Sequence, residues 1–126
     1  MQVLVDSSVW IDYFRGNGNT DKLDFLIDEN ILAVNDLILA ELVPFLKMKR
    51  QQKLITLLNS VVKLELNIIW DQITELQYQC LKEGINGVGI PDLIIAQNAI
   101  QNRYDLYSLD KHFELMKNVF KLTLIK

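Results

Sequence analysis

The sequence is short of cysteine, histidine and positive charge, and it has no long uninterrupted apolar run. Each shortage removes a class of protein. Cys80 is the only cysteine among 126 residues. No disulfide framework is possible within the chain, which suits a reducing cytosol. Cys80 falls in an apolar helical stripe and reads as a small core residue rather than a reactive thiol. Thirteen Lys and Arg stand against 16 Asp and Glu, a net charge of −3. There is no global basic field for a nucleic acid, so binding a polyanion needs a local basic patch or bound cations. The greasiest stretch, Ile31 to Leu46, is interrupted by Asn35, Asp36 and Glu41. It is also shorter than the roughly 20 apolar residues of a membrane span. The start, Met1-Gln2-Val3, has neither the basic region nor the apolar run of a secretory signal. The expectation is a soluble, cytoplasmic protein with no membrane partner. The length suits one domain, residues 1–126, with a real core.

What is present is an alternation of strand and helix signals. The apolar run Val3-Leu4-Val5 stops at Asp6-Ser7-Ser8, and an amphipathic stretch follows from Val9 to Arg15. A buried strand giving way to a helix start fits that pattern. Gly16 to Thr20 is the clearest loop, with Thr20 or Asp21 able to cap a short helix through Asp28. Ile31 to Val34 predicts a short buried strand. Asn35 or Asp36 then caps a helix from Leu37 to about Lys47, which Pro44 should kink or divide. Further helices are predicted over Gln51–Ser60, Trp70–Glu83 and Pro91 to about Asn102, with Pro91 as first helical residue. Val61–Leu66, Leu106–Ser108 and Leu122–Ile125 predict strands. The alternation argues an α/β fold: a central, mostly parallel sheet of four to five strands flanked by helices in three layers.

Four carboxylates fall at the ends of these elements. Asp6 follows the first strand, where open α/β sheets put their chemistry. Glu41 lies inside Leu37-Ile38-Leu39-Ala40-Glu41-Leu42-Val43. Asp92 opens the helix that continues Leu93-Ile94-Ile95-Ala96, and Asp110 follows the short strand at Leu106. Taken singly, each has a bland reading: a helix-surface carboxylate for Glu41, compensation of the helix dipole for Asp92, a turn or cap for Asp110. Taken together on a parallel sheet, they can meet at one edge. Such a cluster needs protons or cations to survive its own repulsion. Hard oxygen ligands without cysteine or histidine favour Mg²⁺ or Mn²⁺ over Zn²⁺. Divalent metals on carboxylates mostly serve phosphate chemistry, and they cancel the negative field that would repel a nucleic acid.

The segments VDSSVWIDYFRG, LILAEL, GIPDLIIAQNAI and YSLDKHF, in this order and spacing, resemble the PIN domain. The resemblance is strongest to VapC-type toxins of bacterial toxin–antitoxin pairs, and it covers essentially the whole chain. It implies a Mg²⁺- or Mn²⁺-dependent endoribonuclease. Asp6, Glu41, Asp92 and Asp110 take the places of the four acidic residues, with Asp6 and Asp92 the most direct metal ligands. Ser8 matches a small polar residue two positions after the first acid. It would hold a metal water or a phosphate oxygen, or cap the first helix. The helix after Asp92 is apolar through Ala96 and then reads Gln97-Asn98. It lacks the further acid that some members carry, which favours one metal over two. The resemblance also implies a homodimer, an RNA substrate and a cognate antitoxin whose tail lies over an apolar groove. DNA would be met only through that antitoxin.

The remaining candidates are weaker. His112, the only histidine, is read as part of the structural continuation of the last motif rather than as a general base. Arg15 closes the first motif and could contact a phosphate or a partner's carboxyl end. Lys47, Lys49, Arg50 and Lys53 form the one dense basic run, which serves as a solvated face, an RNA contact or a docking surface. Trp10 and Phe14 share a helix face. Two other functions compete. A phosphoacceptor signalling domain also puts Asp residues at strand ends, but Asp6 is followed by serines and no acceptor Asp appears near Val61–Leu66. A catalytically silent PIN-like module that only binds RNA or protein would not need all four acidic positions filled.

Overall fold

The computed structural model describes residues 1–16 and 20–125. In chain order the elements are β1 (Val3–Val5), α1 (Ser7–Arg15), α2 (Asp21–Asp28), β2 (Leu32–Asn35), α3 (Asp36–Met48) and α4 (Gln52–Ser60). They continue with β3 (Val62–Leu64), α5 (Trp70–Lys82), α6 (Ile90–Asn102), β4 (Asp105–Tyr107) and α7 (Lys111–Met116). The strands form one sheet in the order β3-β2-β1-β4. Every pairing is parallel, with Val3 beside both Leu32 and Asp105, and Ala33 beside Val62. The chain adds strands in one direction from β1 to β3, then returns to place β4 on the far side of β1. The crevice at the carboxyl ends of β1 and β4 is therefore the topological switch point, where ligands of open α/β sheets bind.

The period of two along β1 divides the core. Val3 and Val5 point to one face, with Trp10 of α1, Leu23 and Leu26 of α2, Leu42 and Leu46 of α3, and Ile55 and Leu58 of α4. Leu4 points to the other, with Ile73 and Cys80 of α5, Leu93 and Ile95 of α6, and Phe113 and Met116 of α7. Both faces of a parallel sheet must be covered, so β1 and β2 read as continuous apolar runs rather than alternating ones. The result is the three-layer α/β arrangement expected from the sequence.

Several boundaries differ from expectation. Helix α1 begins at Ser7, and α6 begins at Ile90 with Pro91 second, because Gly89 takes the N-cap position. Pro44 does not divide α3, which runs unbroken from Asp36 to Met48. Pro44 and Ala40 both lie on the exposed side, so the carbonyl that loses its partner four residues back remains open to water. The strand predicted over Leu122–Ile125 reduces to one parallel bridge, Leu106 to Leu124. The cause is the shortness of β4. The Asp105 N–H donates to Gln2 and the Tyr107 carbonyl accepts from Asp6, so both are committed to the β1 side. Only Leu106 has its groups free on the outer edge, and they bind Thr123 and Ile125. The six-residue helix α7 was not anticipated; Asp110 caps it by accepting from the His112 N–H. Of the loop read over Gly16–Thr20, residues 17–19 lie outside the described residues. Gly16 ends α1 in the left-handed conformation, φ 69°. No helix among the described residues is long and apolar enough to cross a membrane.

One buried polar pair ties the two helical layers together. Asn35 caps α3 by accepting from the Ile38 N–H at 2.8 Å. Its Nδ2 donates to Oδ1 of Asn98 on α6 at 2.9 Å, and Asn98 Nδ2 donates to the Glu65 carbonyl. Asn35→Ala removes a cap and strands an acceptor on Asn98, so urea unfolding should show a loss of about 2–3 kcal/mol. The same change at exposed Asn118 should move stability by less than about 0.5 kcal/mol.

Candidate metal centre

Asp6 is the first residue past β1, extended at φ −71° and ψ 155°. It occupies the N-cap of α1, yet its side chain makes no capping bond. The carboxylate is instead held by hydroxyls. Ser8 Oγ donates to Asp6 Oδ2 at 2.8 Å and Ser108 Oγ donates to the same oxygen at 2.9 Å. Each hydroxyl also accepts a backbone N–H: Leu109 to Ser8 and Asp110 to Ser108, both at 3.0 Å. The two serines therefore fasten the end of β1 to the turn after β4 and orient a carboxylate that is only 5% exposed. Ser8 does not cap α1, because its hydroxyl is committed to Asp6.

Asp92 enters from the first turn of α6 and Asp110 from the N-cap of α7. Between them stands His112. Its Nδ1 lies 3.2 Å from Asp110 Oδ1 and 3.8 Å from Asp92 Oδ2. One ligand atom from each of Asp92, Asp110 and His112 can be chosen so that all lie within 4.8 Å of one another. Asp6 and Glu41 are not members of that group of three.

Electrostatics nevertheless join all four acids. Burial raises the Asp92 carboxyl above the ordinary carboxylate range, and the charges of Asp110 and Asp6 raise it further. The Gly89 backbone and His112 pull the other way. Glu41, the most open of the four, is raised first by partial burial and then by Asp6 and Asp92. Four separate elements thus bring negative charge to one crevice at the switch point: the end of β1, α3, α6 and the cap of α7. Hard oxygen donors that resist their own ionisation fit a divalent cation such as Mg²⁺ or Mn²⁺.

Other sequence candidates lie elsewhere. Helix α1 starts at the site and carries Arg15 about 12 Å along its axis to the opposite end. There its guanidinium lies 5.9 Å from the centre of the Phe45 ring. Trp10 is fully buried, while Phe14 packs edge-on against Phe45. Lys47 and Arg50 line an open cavity of about 280 Å³ at the α3–α4 corner. Lys53 borders a neighbouring groove of about 340 Å³ with Tyr13, Phe14, Leu54 and Leu57. Sequence reasoning missed Ser108 and discounted His112. A signal existed for each: Ser108 stands two residues before an acid at a strand end, as Ser8 stands two after one. His112 follows Asp110 at the spacing of a helix cap and its first turn.

The family model of the PIN domain matches residues 3–119. The chain belongs to the PIN domain family. Solved structures share the fold of this PIN domain along nearly its whole length. VapBC2 from Rickettsia felis, bound to a DNA fragment from its promoter, is 21% identical with a TM-score of 0.77, covering 99% of this chain and 98% of that one. FitAcB from Neisseria gonorrhoeae is 17% identical with a TM-score of 0.70, covering 99% and 97%. VapC20 from Mycobacterium tuberculosis, a toxin that cleaves the sarcin-ricin loop, is 12% identical with a TM-score of 0.63, covering 97% and 99%. At these identities the likeness is one of fold. Among curated proteins, no sequence matches.

The raised Asp92 carboxyl has a consequence for the metal-free PIN domain. Between the unfolded and the folded value, the folded state holds a proton there that the unfolded chain has lost. Stability from this group is full below the unfolded value and falls as pH rises through the folded one. At neutral pH the ionised Asp92 is therefore a cost. Metal-free Asp92→Asn protein should melt a few degrees higher than the parent at pH 7, and the gain should vanish toward pH 4. Thermal denaturation in chelator at both pH values checks this.

Proposed function

We propose that this PIN domain, acting as a single unit over residues 1–126, is a divalent-metal-dependent endoribonuclease. We read it as the VapC-type toxin of a type II toxin–antitoxin pair. The observation that carries this reading is the crowding of Asp6, Glu41, Asp92 and Asp110 around the switch point. Such crowding costs stability unless a cation offsets it. The solved structures that share the fold include a toxin–antitoxin complex from Klebsiella pneumoniae, matched over 87% of this chain.

Asp92 and Asp110 would hold the ion, with Asp6 and Glu41 completing its shell directly or through water. A bound Mg²⁺ or Mn²⁺ supplies Lewis acidity toward a phosphodiester and an attacking water. Ser8 and Ser108 keep the Asp6 carboxylate from rotating. With a net charge of −3, the chain depends on that cation to bring a polyanion to its acidic edge. The exposed basic run from Lys47 to Lys53 offers backbone contacts or a docking surface. A cytoplasmic homodimer restrained by a cognate antitoxin completes the proposal, with DNA engaged only through the antitoxin.

The purified protein should cut RNA in Mg²⁺ or Mn²⁺ and stop in chelator. Asp6→Asn and Asp92→Asn should lower the rate by about 100-fold or more, with folding intact by circular dichroism. Ser108→Ala, which loosens a ligand's support, should cost about 10-fold or more. Asp6→Asn protein that cleaves as well as the parent would sink the carboxylate mechanism. RNA binding without any cleavage would point instead to the catalytically silent module.

A further inference from the structure

The one histidine of the chain faces the acidic crevice with the same nitrogen that both Asp92 and Asp110 approach. We propose that His112 is itself a ligand of the metal centre, and that its nitrogen biases the site toward Mn²⁺ over Mg²⁺. This rests on the reading of the site as a divalent-metal centre and goes beyond the four acidic residues.

The geometry fits one ion. Donors around a six-coordinate cation with bonds of about 2.1 Å lie about 3.0 Å apart when adjacent and about 4.2 Å apart when opposite. The Nδ1 separations of 3.2 Å from Asp110 and 3.8 Å from Asp92 fall between those limits. The ring is also held in place. The His112 backbone N–H donates to the Asp110 carboxylate at 2.9 Å, and the next residue, Phe113, is fully buried. On the opposite side, Gly87 adopts φ 83°, and a Cβ there would stand 3.4 Å from Nε2. That distance is ordinary van der Waals contact, so Gly87 packs directly beside the far edge of the imidazole. Those restraints fix a ring that is about one-third exposed, aimed into the crevice rather than free on the surface.

The chemistry then separates two otherwise similar ions. Mg²⁺ is a hard cation that prefers oxygen and retains its waters. First-row transition ions accept an imidazole nitrogen more readily. A site of two carboxylates and one imidazole is therefore less suited to Mg²⁺ than a site of carboxylates alone. Asp92 and Asp110 supply the charge, and His112 supplies the discrimination.

Because His112 is the only histidine, spectroscopy can read the proposal directly on the whole chain made without a histidine tag. Mn²⁺-loaded protein carrying ¹⁵N-histidine should show imidazole coupling in electron spin-echo experiments, changed from the ¹⁴N pattern. In calorimetric titrations, His112→Ala should weaken Mn²⁺ binding by about 10-fold or more and Mg²⁺ binding by less than about 3-fold. His112→Phe keeps a ring against Gly87 without a donor and should behave the same way. No imidazole coupling in the parent protein, or equal losses for the two ions, would overturn the proposal. If neither variant folds, the labelled parent spectrum alone decides it. Carboxylate-dependent Mn²⁺ binding without imidazole coupling would leave the nuclease reading standing and remove His112 from the shell. Failure of the parent to bind either ion would remove both.

Discussion

The buried bond between Asn35 and Asn98 is the joint on which the site's geometry depends. Asn35 stands at the end of β2, between α3 on one side of the sheet and α6 on the other. Its side-chain amide oxygen accepts at the start of α3, the helix that carries Glu41. The amide nitrogen donates to Asn98 on α6, the helix that carries Asp92. Both asparagines are essentially inaccessible to water. A polar bond in that setting has few alternatives, so it selects one relative placement of the helices. Hydrophobic burial supplies the bulk of the folding energy. The amide pair decides which of several well-packed arrangements is adopted.

A second constraint acts within the crevice. The acids are brought together by three independent structural devices: the hydroxyl pair on Asp6, the first turn of α6 and the cap of α7. None of these devices removes negative charge. The fold thus spends stability to concentrate like charge at the switch point, a trade that functional sites commonly show. Burial and neighbouring charge push Asp92 and Glu41 in the same direction. On the proposed reading, protons and a divalent cation would compete for the same oxygens, linking metal loading to pH through Asp92.

Much of this was legible in the sequence. Asp6 and Asp110 stood out because each follows a short strand at the point where it must end, and Asp92 because it opens an apolar helix. The layered parallel architecture followed from the same alternation. Other features were not readable, because they depend on contacts across the chain. Ser108 gains its role only when β4 pairs with β1, 102 residues away from Asp6. His112 reads as a helix residue until α6 sets Asp92 beside it. The tail after Val119 has strand composition, yet three-residue β4 leaves only Leu106 free to pair with it. Pro44 has the character of a helix breaker, but it lies on an exposed side where the lost bond is cheap. In each case local propensity was sound, and what it lacked was knowledge of the neighbour.

The placement of β1 in the middle of the sheet has a bearing on how the protein comes into being. The first strand to be synthesised waits for the last, since one edge of β1 is completed only by β4. Asp6 acquires its second hydroxyl from Ser108 and two of its three acidic companions, Asp92 and Asp110, from residues beyond position 90. Any amino-terminal fragment that stops short of that region holds Asp6 and Glu41 without the other two acids, and no complete crevice. Non-local parallel pairing of this kind is slow to form. A growing chain on the ribosome consequently lacks the complete acidic crevice until nearly all of it has emerged.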